Sequence, residues 1–265
     1  MIDIERIEPV RIDHPKLSDN RAAADVSLWR TAEGFECYTS FGGRIYHGVS
    51  ADGRWLVLDY YPTIASGTRP SVAVWDKQFY VFYHDEDAPL HRSPRLAHGT
   101  DRHTLVSEEL HISGVTRNAK IAGFSVARLN ERWILFFELT RAGITDIAYA
   151  DAQELRGPWI TRDILALGDG RRTQHCVLMS PAAAVVGGNI FLFYSAFDSR
   201  VSQVGCATLG GEPLHVEDQV YLTPARRFAT RPSVTCALQW GPHMYAYIHA
   251  ERETWRAICR MRTSA

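Results

Sequence analysis

The sequence lacks any apolar run long enough to cross a membrane as a helix, which excludes a helical membrane protein. It also lacks a basic block: 29 Lys and Arg face 30 Asp and Glu, for a net charge of −1. A broad basic face for nucleic acid is therefore not expected. The cysteines Cys37, Cys176, Cys206, Cys236 and Cys259 are odd in number, and no two stand in a Cys-x-x-Cys spacing. That excludes a zinc site built on such pairs and favours buried free thiols over a disulfide framework. The histidines are scattered and form no metal-type pair, so the expectation is neither a metal nor a cofactor. No stretch carries a long amphipathic helical period. The opening Met1-Ile2-Asp3-Ile4-Glu5-Arg6 is charged at once and has no apolar core. It does not read as a secretory signal, and the expected location is cytoplasmic.

What the chain does contain is a repeat. Thr68-Arg69-Pro70-Ser71-Val72 recurs as Thr230-Arg231-Pro232-Ser233-Val234, with a looser copy at Ser180-Pro181-Ala182. The longer unit is an apolar strand, a short turn, an aromatic strand and a polar end. It begins near Asp25, Ser71, Phe124, Ala182 and Ser233. The aromatic strands run Phe35 to Ser40, Phe79 to His84, Trp133 to Glu138, Ile190 to Ser195 and Met244 to His249. The spacing of about 50 residues is that of a four-stranded propeller blade. The sequence thus predicts an all-β chain, a five-bladed β-propeller forming a single domain over residues 1–265. A hydrophobic content of 46% suits its packed core. A β-sandwich, the rival fold, leaves the repeat unexplained. Residues 1–20 are placed to supply an outer strand that closes the ring, since an open sheet edge invites aggregation.

Three further motifs accompany the repeat: Ser50-Ala51-Asp52-Gly53, Gly157-Pro158-Trp159 and Phe193-Tyr194-Ser195. Together with Arg69-Pro70-Ser71 and Gly34, they resemble the blades of the five-bladed glycoside hydrolases, family 43 and its relatives, over nearly the whole chain. The resemblance implies a central funnel holding a base or nucleophile Asp, an orienting Asp and a general-acid Glu. Glycoside cleavage needs carboxyl groups on both sides of the scissile bond. On this chain Asp25 stands nearest the base. The orienting position falls near Gly123, and the Glu-Gly-Pro slot of the acid reads Met179-Ser180-Pro181.

In such a ring, the starts of innermost strands and the ends of second strands surround the funnel. The starts offer Asp25, Arg69, Lys120, His175, Met179 and Arg231; the ends offer Ser40, His84, Glu138, Asp198 and His249. Asp25 is the candidate base. Glu138 is the candidate acid, because the apolar strand before it suggests a dry site and a raised pKa. His84 is a further acid–base candidate. Arg69 and Arg231, at matched positions, suit an anionic group. Together with His175, Asp198 and His249 they form the candidate substrate-binding set. Trp29, Trp75, Trp133 and Tyr83 read as packing between blades in preference to sugar stacking.

Three functions stay open. One is a glycoside hydrolase-like enzyme with relocated carboxylates, acting on a small sugar or glycosylated metabolite. The second reuses the funnel for lyase, cyclase or transferase chemistry on an anionic small molecule. The third is a sugar-binding propeller without catalysis. Each implies a small-molecule partner, with no nucleic acid and no membrane.

Overall fold

The structure, a computed structural model, describes residues 2–15, 25–85, 94–116, 118–167, 177–197, 202–222, 232–250 and 253–261. It begins with β1 (Ile2–Asp13). A first unit follows: β2 (Asp25–Arg30), β3 (Phe35–Phe41), β4 (Arg44–Ser50) and β5 (Trp55–Leu58). The second unit is β6 (Thr68–Trp75), β7 (Gln78–His84), β8 (Pro94–Asp101) and β9 (Thr104–Glu109). After the short β10 (Ile112–Ser113) comes a third: β11 (Lys120–Leu129), β12 (Arg132–Arg141), β13 (Ile144–Ala152) and β14 (Trp159–Ile164). The fourth is β15 (Val177–Val186), β16 (Asn189–Phe197), β17 (Ser202–Gly210) and β18 (His215–Leu222). The last is β19 (Ser233–Trp240), β20 (His243–Ala250) and β21 (Glu253–Met261).

Within each unit the strands pair antiparallel in chain order. The turn chemistry explains why. Asp76-Lys77, Asn130-Glu131 and Gly187-Gly188 all have positive φ at both positions, as a tight hairpin between right-twisted strands requires. The innermost strands then meet side by side: β2 packs on β6, β6 on β11, β11 on β15, β15 on β19, and β19 on β2. The chain is all-β and folds as a propeller, not as two stacked sheets. No helix among the described residues is long and apolar enough to cross a membrane.

The core lies between successive sheets. Tyr38, Ile45, Val81 and Tyr83 fill the space between the first two units. Phe82, Phe124, Leu135 and Phe137 fill the next, and Phe136, Tyr149, Leu178 and Tyr194 the one after. Phe193 and Met244 join the fourth unit to the last, and Cys37 and Tyr247 join the last to the first. This arrangement explains the unbroken apolar run before Glu138. Alternate side chains of a strand point to opposite faces, and here both faces are covered. Leu135 and Phe137 face the second unit while Phe136 faces the fourth. Each contributes about 1.5–3 kcal/mol by burial.

Cys37, Cys206, Cys236 and Cys259 are free and buried, as the spacing suggested, and Cys176 lies outside the described residues. Burial pushes the Cys37 and Cys259 thiols up to about 12 and that of Cys236 to about 11, which makes them packing groups without nucleophilic character.

β1 ties the last unit to the first. Its first residues pair antiparallel with β21, from Ile2–Met261 to Val10–Thr254. Its final residues, Arg11 to Asp13, pair in parallel with Trp55 to Val57 of β5. The strand therefore covers two sheet edges, where the sequence suggested one. Charge fastens the same seam. Arg256 donates from Nη2 to Glu8 Oε2 at 2.6 Å and from Nη1 to the Asp52 carbonyl at 2.6 Å. The Tyr247 hydroxyl donates to the Gly53 carbonyl at 2.9 Å. Glu8 and Arg256 are both buried, so losing one strands the other. Arg256→Ala is expected to lower unfolding stability by about 3 kcal/mol, the lower end for a broken buried pair because Arg6 and Arg54 also reach Glu8. Urea denaturation checks this; an unchanged midpoint would show that the seam does not depend on the pair.

Candidate functional site

Strand pairing brings five equivalent couples to one end of the ring. They are Asp25 with Ser40, Thr68 with His84, Ala122 with Glu138, Met179 with Ser195, and Ser233 with His249. In three units the register shifts immediately after the couple, and the extra residue takes a left-handed backbone: Arg69 (φ 56°), Gly123 (φ 48°) and Ser180 (φ 56°). Ser180 occupies the place of Gly in the Glu-Gly-Pro pattern, and its φ shows why Gly suits that place. For Arg69 and Ser180 the conformation costs about 1–2 kcal/mol each, which a specific contact must offset.

That contact is a relay from unit to unit. Arg69 N–H donates to Ser40 Oγ at 3.3 Å, Gly123 N–H to His84 Nε2 at 3.1 Å, and Ser180 N–H to Glu138 Oε1 at 2.7 Å. In the fourth unit Ser195 Oγ accepts from Val234 N–H at 3.2 Å. The last member breaks the pattern: His249 Nδ1 stands 3.8 Å from Asp25 Oδ1, facing a carboxylate where the others face an amide. Ser195 escaped the sequence reading, which chose Asp198 for the fourth unit. Only the pairing Met179–Ser195 identifies the equivalent residue. Asp198, Arg231 and His175 lie outside the described residues.

Arg69 and Glu138 form the centre. Arg69 Nη1 donates to Glu138 Oε2 at 3.0 Å and Nη2 to Oε1, a two-pronged pair across two units. Arg69 Nη2 also donates to Ser180 Oγ at 3.0 Å, and Ser180 Oγ lies 2.7 Å from Ser233 Oγ. Since Ser180 Oγ accepts from Arg69, its own hydrogen is free to point at Ser233. Burial pushes the Glu138 pKa up, but the Arg69 charge and hydrogen bonds, with the Ser180 amide, outweigh it and hold the carboxyl below its usual range. The expectation of a raised pKa is thus corrected: the site is dry but not uncharged. Glu138 is an ionised partner of Arg69, which the apolar run around it could not reveal. The open anion site expected of Arg69 is corrected likewise, because both terminal nitrogens are engaged.

His84 is buried and stacks on Phe124 at 5.2 Å. Its Nε2 accepts the Gly123 amide, so that nitrogen carries no proton to give. This geometry makes His84 a tie between units, which argues against a catalytic role.

Asp25 differs from Glu138. Its side chain keeps 22% exposure. Burial raises its pKa, yet His249, the Arg69 charge and the Ser40 hydroxyl outweigh this and hold it below its usual range. Ser40 Oγ donates to Asp25 Oδ2 at 3.3 Å while accepting from Arg69. Asp25, Arg69, Gly123, Phe124, Ser180 and Ser233 border a cavity of about 20 Å³, room for about one water. A larger cavity of about 250 Å³ lies between the third and fourth units, near Leu129, Tyr149 and Pro213. Of the two carboxylates on its lining, Asp151 is taken up by Arg132 and Arg162, and Glu212 is exposed.

The remaining candidates sit elsewhere. Lys120 is exposed. Trp75 and Trp133 meet edge-on at 5.6 Å with Arg128 over Trp75, at the opposite end of β6 from Arg69. Trp29 meets Phe79 of the second unit edge-on at 5.7 Å, and Tyr83 packs with Tyr38 and Ile45 of the first, in keeping with packing between units.

Two substitutions test the centre. Glu138→Gln leaves the Arg69 charge without its counter-ion and is expected to lower stability by about 3 kcal/mol at neutral pH. Because the folded pKa of Glu138 lies below its unfolded value, this stabilisation is complete above the ordinary glutamate value of 4.5 and is lost as pH falls through the lower folded value. The gap between wild type and variant in urea melts should therefore close in acid; a gap independent of pH would refute the ion-pair account. In Gly123→Ala, the new Cβ would lie 2.6 Å from Glu138 Oε1 and 2.9 Å from Arg69 Nη2. It should destabilise by more than the roughly 1–2 kcal/mol of the left-handed backbone alone.

No protein-family model matches the sequence, and no curated protein sequence matches it. Its shape does have close parallels. A glycosyl hydrolase from Bacteroides ovatus aligns over 90% of this chain and 84% of its own, with TM-score 0.69 and 11% identity. A thermostable family-43 glycoside hydrolase aligns over 94% and 93%, with TM-score 0.68 and 12% identity. A family 117 glycoside hydrolase produced by the marine bacterium Zobellia galactanivorans aligns over 98% and 92%, with TM-score 0.68 and 11% identity. The chain has the propeller fold of these glycoside hydrolases.

Proposed function

We propose that the chain is a glycosidase-like enzyme, a single five-bladed propeller domain over residues 1–265, acting in the cytoplasm on a small sugar or glycosylated metabolite. The ring of contacts among β2, β6, β11, β15 and β19 supports the blade count. Buried free thiols suit a reducing compartment.

The reading is carried by Asp25. It stands at the start of the first innermost strand, keeps its charge, and borders a cavity with room for one water. A base needs just this: an ionised carboxylate beside the water it activates. His249 Nδ1 stands 3.8 Å from Asp25 Oδ1, which places an imidazole beside the proposed base. Glu138 acts as the counter-ion that positions Arg69, which in turn sets Ser180 and Ser233. One observation favours the third of the open functions, sugar binding without cleavage: Glu138, the other central carboxylate, has both oxygens occupied.

Aryl glycosides and simple disaccharides provide the test. Asp25→Asn is expected to lower kcat by about 10²–10⁴-fold while sugar binding by calorimetry persists. Glu138→Gln is expected to lose activity equally on activated and ordinary glycosides. Selective sparing of activated ones would restore Glu138 as the acid. A wild type that binds sugars and cleaves none would establish the binding reading.

A further inference from the structure

The histidines look scattered in the sequence, yet the fold gathers two of them around one carboxylate, far from the central cavity along the sheets. His47 lies on β4, on the same face as Ile45, which packs toward the second unit. Asp59 follows β5, and its amide donates to the His47 carbonyl at 2.9 Å, which fixes it beside the ring. His103 lies in the turn between β8 and β9 of the second unit. His47 Nδ1 is 2.9 Å from Asp59 Oδ2, and His103 Nδ1 is 3.1 Å from the same oxygen. The candidate ligand atoms of the three residues all lie within 4.8 Å of one another.

We propose that His47, Asp59 and His103 form a divalent metal site of zinc type that clamps the first unit to the second. Zinc bonds to imidazole nitrogen and carboxylate oxygen measure about 2.0–2.2 Å. Donor atoms around such an ion then stand roughly 3 Å apart, as each imidazole nitrogen stands from Asp59 Oδ2. Imidazole and carboxylate together suit zinc and its neighbours in the first transition row.

The surroundings of His47 have the form expected of a metal ligand. Its other nitrogen, Nε2, lies 3.2 Å from Glu36 Oε2, and Glu36 is held by Arg102. A carboxylate at the far nitrogen fixes the ring and its tautomer, leaving Nδ1 as a lone-pair donor. Trp29 and Tyr38 wall the ring, and His47 is buried. His103 and Asp59 are 55% and 39% exposed, which gives an ion an entry path and a water-filled position. A single hydrogen bond accounts for one imidazole against a carboxylate. Two rings from different units turning the same nitrogen to one oxygen is the arrangement an ion imposes.

The test uses tag-free, chelator-dialysed full chain, titrated with Zn²⁺ by calorimetry and followed by thermal melting. One equivalent should bind and raise the Tm. His103→Ala, in an exposed turn, should leave the metal-free Tm unchanged, remove the Zn²⁺-dependent rise and weaken binding by more than about 100-fold, beyond the loss typical of an outer partner. Asp59→Asn should do the same, and Glu36→Gln should weaken binding by about 10–100-fold. Co²⁺ should show d–d absorption in the wild type that His103→Ala loses. No stoichiometric Zn²⁺ uptake by the wild type would overturn the proposal, as would uptake unaffected by either ligand substitution.

Discussion

Everything at the centre of this propeller depends on how one unit hands a hydrogen bond to the next. Sheets that fan around an axis leave the amides at the start of each innermost strand without a partner in their own unit. An unpaired buried amide costs free energy comparable to a lost hydrogen bond. The side chain at the end of the preceding unit's second strand answers this need, through Ser40, His84, Glu138 and Ser195. The residue types are interchangeable because each has only to present an acceptor. The left-handed turns at Arg69, Gly123 and Ser180 accompany the relay, because they depart from the regular ladder where the amide leaves its own sheet. A second set of serines repeats the device one step deeper, with Ser27 accepting from Val72 and Ser125 from Ala183.

The ion pair of Arg69 and Glu138 adds charge to the same frame. Guanidinium and carboxylate come from the second and third units, and the Glu138 carboxylate also takes the Ser180 amide of the fourth. Arg69 continues to Ser180, which reaches Ser233 of the last unit. Through the Arg69 amide and Ser40 the network returns to Asp25 in the first. Side chains from every unit thus meet in one hydrogen-bonded cluster. Such a cluster resists substitution at any single member, because each removal leaves another buried group unsatisfied.

The fold was legible in the sequence because its signals are local. Alternating faces, two-residue turns and the recurring Arg-Pro-Ser-Val each lie within a dozen residues, and the repeat multiplied them. The end positions Ser40, His84, Glu138 and His249 followed from that register. The chemistry was less legible because it depends on separations the chain does not display. Glu138 sits behind five apolar residues, and nothing nearby announces an arginine 69 positions earlier. Ser195 looked ordinary beside Asp198 until strand pairing marked it as the equivalent of Glu138. His47 and His103 belong to different units, so no spacing rule could join them; their meeting is a product of how the first two sheets pack.

Any group that closes the ring is withdrawn from chemistry. Ser40, His84, Glu138 and Ser195 each accept a backbone amide, and Glu138 also neutralises Arg69. A group so engaged cannot also accept a substrate proton without giving up a contact that holds two units together. The seam between the last and first units is different. There β1 and the Glu8–Arg256 pair supply the closure from outside, so the inner positions are not needed for it. His249 meets a carboxylate where its counterparts meet an amide, and Asp25 keeps both its charge and its exposure. Among the described residues, reactive potential therefore collects at the one junction where the structural work has been moved elsewhere. On the proposed reading, Asp25 is the described residue of this junction best placed to act as the base.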